Sequence, residues 1–434
     1  MSLPLQITFA LAPHIAKGLI KGLYQLSGNT IIELTTKNII GFVRPTTSYN
    51  SSSNILNMIV SGANLLTSGA NIAVSAKGFS NVNNKLDKGF SDINQQLDNI
   101  DNQIRTIGRP LQITQDLLQI NTAASILNLG VTLMGFAVIA QRLKGIEEQL
   151  QISQELLNKI NRKVDLNAYA NFQAGIELAM NAFTMNKIEN RRNSALQAIN
   201  RFLEAEHIYK EYTVNEMAQK SQLINQYILT LSLAYIAEAR CYLELEEQET
   251  AIRRFQEGAK VLRLLINKYI EILLTPNPAV YLHPQFKGQI DLQRITKIYQ
   301  WINPSLDENA VFDLQRENLF KIAQDSNHWL SSLPSAIVDR GEIQWGIFGA
   351  NPTPLTGRFE KEAYKRLPQI IENMESLIET NHRFESYQTE IQAISQLGIS
   401  FHEWLKLTPT ENQPNGAELM YIIPSTSLQI SLSS

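Results

Sequence analysis

Amide and hydroxyl side chains recur at Asn121, Ser125, Asn128 and Thr132, with Gly135 continuing the 4,3 spacing, inside a run from Leu117 to Gln141 that has no charged residue. At helical spacing such side chains hydrogen-bond from helix to helix and let backbones approach, which is the chemistry of helices meeting in lipid. Continued without a break, the same register reads Ile139, Leu143, Ile146, Leu150, Ser153, Leu157, Ile160 and Val164, among eight charged residues between Leu143 and Asp165. An apolar 3,4 seam with charged flanks is a coiled-coil seam that meets partner helices in water. The seam is therefore polar where its surroundings are apolar and apolar where its surroundings are charged.

The pattern occurs twice at an ungapped offset of 57 residues: Asn64, Ser68, Asn71, Ser75 and Gly78 match Asn121, Ser125, Asn128, Thr132 and Gly135. Phe79, Val82, Lys85, Leu86, Ile93 and Ile100 match Phe136, Ile139, Arg142, Leu143, Leu150 and Leu157, so the repeat extends into the charged halves. The 25 uncharged residues of the second copy would make roughly 37 Å of helix, enough to span a bilayer core. Two copies in the same direction leave the charged connection between them no apolar span for its return. The expectation is a switch between a shielded and an inserted state.

Catalytic chemistry is sparse. His14, His207, His283, His328, His382 and His402 are scattered, with no H-E-x-x-H and no Cys/His metal spacing, and the single cysteine, Cys241, reads as a buried small residue. In His402-Glu403 the side chains diverge by about 100° on a helix and do not face each other. The stretch Gly349 to Arg358 has glycines but no Gly-Lys-Ser/Thr ending, and its prolines remove amide donors that a phosphate cradle needs. Glu244, Glu246, Glu247 and Glu249 read as a solvated helix end and not as an oxygen cage for a cation. No enzyme, cofactor or metal is expected. Charged residues are 18% of the chain and the net charge is -3, so the bulk balance does not ask for nucleic acid. The first lysine is Lys17, so no ordinary secretory signal is expected.

The elements that must position these seams follow from period and punctuation. Residues 1–50 hold an amphipathic stretch, Ile15, Leu19 and Leu23 with Lys17 and Lys21, and then a β-prone piece from Thr30 to Val43. The duplicated unit spans 51–165, with one helix over 54–107, a break at Gly108-Arg109-Pro110, and a second over 111–165. Residues 166–275 read as shorter helical hairpins. Residues 276–410 read as further helices near 291–301 and 307–330, a loop at 343–357, and a long helix over 358–405 with Tyr364, Leu367, Ile371, Met374 and Ile378 on its seam and a kink at Pro368. The tail, 411–434, alternates around Leu419 to Ile423 and Leu428 to Leu432 like a small β-hairpin. The expected fold class is all-α, an elongated long-helix coiled-coil bundle with apolar segments plus a helical-hairpin body.

Two resemblances sharpen this. Tyr235, Ala239, Tyr242, Ala251, Phe255 and Gly258 fall on the spacing of one tetratricopeptide unit over 235–263, which implies a helical hairpin able to bind a protein partner. Glu246 stands where that family has its turn glycine, and Arg263 where it has its closing proline. In architecture the long helices with apolar segments resemble the α-helical pore-forming toxins of the cytolysin A type. That likeness implies a chain that is soluble at first, associates conditionally with a lipid membrane and assembles as a homo-oligomer. A lumen lined by the Asn and Ser seam would be uncharged, with little ion preference. The competing expectation is a coiled-coil scaffold or adaptor whose apolar helices are buried throughout.

Overall fold

The two ends of the chain meet in one antiparallel sheet. The computed structural model describes residues 5–45, 135–158, 167–275, 277–283, 286, 289–290, 292–324, 333–338, 355–412 and 419–429. Strands β1 (Leu5–Thr8), β2 (Tyr24–Ser27), β3 (Thr30–Glu33) and β4 (Ile39–Pro45) are joined by β5 (Leu419–Pro424) from the far end, in the order β1-β5-β4-β3-β2. β5 pairs Leu5 with Pro424 on one side and Phe42 with Ile422 on the other, so β1 is held in the sheet through β5. The two-residue turn between β2 and β3 puts Gly28 first, at φ +59°, a conformation that favours glycine and matches the twist of a hairpin.

Alternation gives the sheet two different faces. Ile39, Phe42, Met420 and Ile422 join the main core, while Ile31, Val43, Tyr421 and Ile423 turn the other way onto helix α1 (Pro13–Ile20). Gly18 of α1 lies against the Tyr24 ring, where a Cβ would come within 2.3 Å. Gly22, at φ +66°, closes the helix: its N–H donates to Leu19 O and that of Leu23 to Gly18 O, the paired bonds of a Schellman end.

The rest is helical: α2 (Phe136–Asn158), α3 (Asn167–Thr184), α4 (Ile188–Ala218), α5 (Ile224–Glu244), α6 (Gln248–Leu274), α7 (Leu292–Ile302), α8 (Glu308–Gln324), α9 (Leu355–Gln396) and α10 (Phe401–Leu405). α3 to α6 pack as successive neighbours, α9 lies along α6, and α2 packs on α3 and α5. α5 is the central helix, buried at every position from Ile224 to Cys241. Its hydroxyls turn back on their own helix, Thr230 Oγ1 donating to Gln226 O and Ser232 Oγ to Ile228 O, both at 2.8 Å.

The molecule is mostly helical, but the all-α expectation is corrected by the five-stranded sheet. The expected C-terminal hairpin is a single strand: β5 pairs with β1 and β4, and Leu428 bridges to Ile39 instead of folding back on it. Alternation marks the faces of a strand and leaves its partner open. The helix expected over 358–405 ends at Gln396, where Gly398 takes φ +64°. Ser400 and Glu403 then form a capping box that starts α10, a signature of Ser-x-x-Glu. α9 runs on through Pro368. The stretches 46–134, 159–166, 325–332 and 339–354, which include most of the duplicated unit and the glycine-bearing loop, lie outside the described residues.

The turn between α5 and α6 places Glu246 at φ +62°, exposed, at the position where the tetratricopeptide pattern has glycine. A side chain there is held against its backbone preference by about 1 kcal/mol. Glu246→Gly is expected to raise stability by about 0.5–1 kcal/mol in urea unfolding, and a loss of stability would show that the Glu246 side chain contributes more than its backbone strain costs.

Candidate functional site

The end of the uncharged run is built into the helical body. On α2 the positions Phe136, Ile139, Leu143, Ile146 and Leu150 are buried, while Lys144, Glu148 and Gln151 face out. Phe136 stacks on Phe183 of α3 with ring centroids 5.6 Å apart. The coiled-coil seam therefore has an occupant within its own chain: α3 and α5 cover it through Leu150. Leu157 lies on α2, and Ile160 and Val164 fall outside the described residues. So do Asn64, Ser68, Asn71, Ser75, Asn121, Ser125, Asn128 and Thr132. Gly135 is described, and its carbonyl accepts from Ile139 N at 3.1 Å, the first turn of the helix. A Cβ at Gly135 would meet nothing within 4 Å, so no described neighbour requires a glycine there.

Two buried polar clusters hold this body together. The first joins the sheet to α9. Glu390, 1% exposed, accepts from Asn29 Nδ2 at 2.8 Å and from Trp404 Nε1 at 2.6 Å, and faces Arg44 Nη2 at 3.8 Å. Arg44 Nη1 donates to the Trp404 carbonyl at 3.2 Å, and burial lowers the guanidinium pKa while Glu390 opposes the shift. Asn29 N donates to Ser386 Oγ at 3.1 Å, and a Cβ on Gly28 would come within 2.7 Å of Ser386. A carboxylate at this depth is tolerable only with donors on its oxygens, and the β2–β3 turn, through Asn29, and α10, through Trp404, supply them, with the Arg44 charge of β4 beside them.

The second cluster joins α4, α5 and α6. Arg254 lies between Glu206 and Glu238 and donates to both, with the exposed Glu257 on its third nitrogen. Burial, and then Glu238 beside it, pushes Glu206 well above the ordinary carboxylate value of 4.5; burial raises Glu238 as well. Glu206 Oε1 and Glu238 Oε1 lack a donor among the described residues. One proton shared between the two carboxyls would supply it and leave the set of two glutamates and one arginine neutral. This arrangement crosslinks three helices.

Of the described histidines, His283, His382 and His402 each face a different partner. His283 packs on Tyr364, whose hydroxyl is 3.1 Å from Nε2, and burial lowers its pKa to about 4. His382 lies 3.8 Å from Glu379 and His402 3.7 Å from Glu244. Glu403, paired with His402 in sequence, instead serves the α10 cap, and the backbone N–H of Ser400 holds its pKa down. Among the described residues no group of three or more His, Cys, Asp or Glu could hold a metal ion. The sequence reading missed Glu206, Glu238, Arg254, Arg44 and Glu390. The available signal was Glu238 and Arg240 breaking an otherwise uncharged stretch from Gln222 to Leu243, since charges inside such a stretch must be paired. Comparison of the chain with family models, curated proteins and solved structures finds no match.

Two outcomes are expected. Leu143→Ala and Leu150→Ala should each cost about 2–5 kcal/mol in chemical unfolding, the range for truncating a buried leucine, while oligomer mass by light scattering stays unchanged; a mass change with unchanged stability would place a second copy on the seam. The Glu206 pair has a pH signature. Its folded state binds a proton that the unfolded state releases near the ordinary carboxylate pKa, so its contribution is full below that value and falls as pH rises toward the raised folded value. Glu206→Gln keeps a donor toward Glu238 and does not titrate, so the melting temperature from about pH 6 to about pH 9 should slope less than in the wild type; parallel slopes would mean that no proton is shared.

Proposed function

We propose that this protein is a non-enzymatic, membrane-active helical protein. In this reading the helical body and its sheet carry the duplicated apolar unit, which enters a bilayer and oligomerises to permeabilise it. The observation that supports it is the attachment: the uncharged run ends inside α2, and Phe136, Ile139, Leu143, Ile146 and Leu150 fix that helix to the body. An apolar segment based on a folded body has the form of an insertion unit with a handle. Among the described residues no helix is long and apolar enough to cross a membrane, and most of the run Leu117 to Gln141 lies outside them.

A second reading has one observation in its favour. Phe136 and Ile139, the last large apolar residues of the run, are already part of a core, as a scaffold with permanently buried apolar helices would have them. A peptide-binding role for the tetratricopeptide-like hairpin has less support, because α5 is buried all round and α9 covers α6, with Asn381 Nδ2 donating to Ala259 O at 3.1 Å.

Asn128→Asp and Ser125→Asp separate the readings. A carboxylate at mid-bilayer costs about 2.5–3.5 kcal/mol, so either change should leave the circular dichroism spectrum and melting temperature near wild type and cut dye release from liposomes by about 100-fold. Variants that unfold in water, beside a wild type that never releases dye, would establish the scaffold reading.

A further inference from the structure

The groove that holds α2 is matched by a second segment of the same chain. Phe136, Ile139, Leu143, Ile146 and Leu150 are the buried side chains of α2, which packs on α3 and α5. At the repeat offset of 57 residues these positions read Phe79, Val82, Leu86, Gly89 and Ile93, apolar at all but the glycine and identical at the phenylalanine and the first leucine. The positions that α2 turns outward, Lys144, Glu148 and Gln151, read Asp87, Ser91 and Asn94, all polar. Gly145 is Lys88 in the first copy, and a Cβ at Gly145 meets nothing within 4 Å, so a side chain is admitted there. Inward and outward chemistry are both preserved, which is what one groove requires of two occupants.

We infer that the groove between α3 and α5 has two occupants in this chain, and that the first copy, over residues 79–100, docks there in place of α2 through Phe79, Val82, Leu86 and Ile93. The aromatic contact carries over, since Phe79 would stand where Phe136 stacks on Phe183 with ring centroids 5.6 Å apart. The departures rank the two occupants. Val82 is one methylene short of Ile139, Gly89 leaves the Ile146 position empty inside a helix, Asn83 replaces the half-buried Ala140, and Phe90 replaces Glu147, which bonds the Tyr169 hydroxyl. Each difference weakens the first copy, so α2 holds the groove in this structure and the exchanged form is the minor state. Tethering favours an occupant from the same chain over one from a second molecule. The 33 residues between Pro45 and Phe79 reach about 110 Å when extended, more than the span of a folded body of this size, and a tethered segment competes at high effective concentration. The exchange does not depend on entry of the uncharged run into a bilayer.

The test cross-links the full chain with a short bismaleimide and reads the products by mass spectrometry, in a Cys241→Ser background that removes the single native cysteine. Phe136→Cys/Phe183→Cys reports α2 in the groove, and Phe79→Cys/Phe183→Cys reports the first copy. The α2 pair should cross-link almost completely within one chain, and the first-copy pair in a small fraction of chains. Val82→Ile/Gly89→Ile, which leaves α2 untouched, should raise the first-copy product about tenfold. Adding Leu143→Ala/Leu150→Ala should make it the major product. Circular dichroism verifies that each variant folds, and the Val82/Gly89 variant carries the test by itself where the truncated one does not. Asp87→Cys/Phe183→Cys, on the outward face of the first copy, measures chance encounter and should stay at background throughout. A Phe79 product that responds to neither change, or an Asp87 product equal to it, would overturn the exchange. A product that is a covalent dimer would make a second molecule the occupant and overturn it as well.

Discussion

The burial of α5 on every side is the constraint around which the other helices are arranged. A helix with no exposed face cannot leave its charges to water, so each must find a partner on whichever neighbour it faces. Glu238 reaches Arg254 of α6, which also takes Glu206 of α4, and Arg240 pairs with Glu244 one turn on and lies 4.5 Å below the Phe401 ring of α10. These partners fix both the neighbours and their register, because an unpaired charge at this depth would cost more than any single apolar contact returns. Gly258 adds a steric condition: a Cβ there would come within 3.0 Å of both Tyr235 and Phe384, so α6 approaches α5 and α9 closely at the same point.

A second closure follows from chain topology. β1 is held in the sheet through β5, while Glu390 of α9 and Trp404 of α10 bind Asn29 of the β2–β3 turn and Arg44 of β4, so the segments on both sides of the helical body close on the same sheet. The N-terminal strands and the C-terminal strand thus complete one another across nearly the whole sequence. Contacts of such long separation slow folding and make the sheet a unit that is either complete or lacks an outer strand.

Much of this was legible where local period decides and hidden where partners decide. The β-prone stretch Thr30 to Val43 and the alternation at Leu419 to Ile423 are strands, yet nothing in a period of two says that the second inserts between β1 and β4. The heptad spacing puts Ile139, Leu143, Ile146 and Leu150 on one face, and that face is buried; the spacing is silent on whether the facing helix belongs to the same chain. The helix stop at Gly398 and the Ser400-x-x-Glu403 box were local signals outweighed by the longer apolar seam. Glu246 was singled out as a departure from a glycine position, and it does occupy the left-handed turn such a glycine serves. The polar clusters were the least legible, because Glu206, Glu238 and Arg254 come from three helices and only the fold brings them together.

If the uncharged run enters a bilayer as proposed, its attachment at Phe136 sets how much of it the bilayer can receive. Withdrawing Phe136 and Ile139 from the core into lipid exchanges one apolar environment for another, but it also leaves α3 and α5 with a cavity, at a cost of about 2–5 kcal/mol for each large side chain removed. Leu117 to Gly135 is 19 residues without a charge. In helical form that is roughly 28 Å, close to the thickness of a hydrocarbon core. The run is thus long enough to enter a bilayer while α2 stays docked from Phe136 onward. The proposed insertion, on these terms, leaves Phe136 and Ile139 in the core, and its energetic demand would fall on the amide and hydroxyl groups at Asn121, Ser125, Asn128 and Thr132, which would have to find one another or water once the surrounding side chains face lipid.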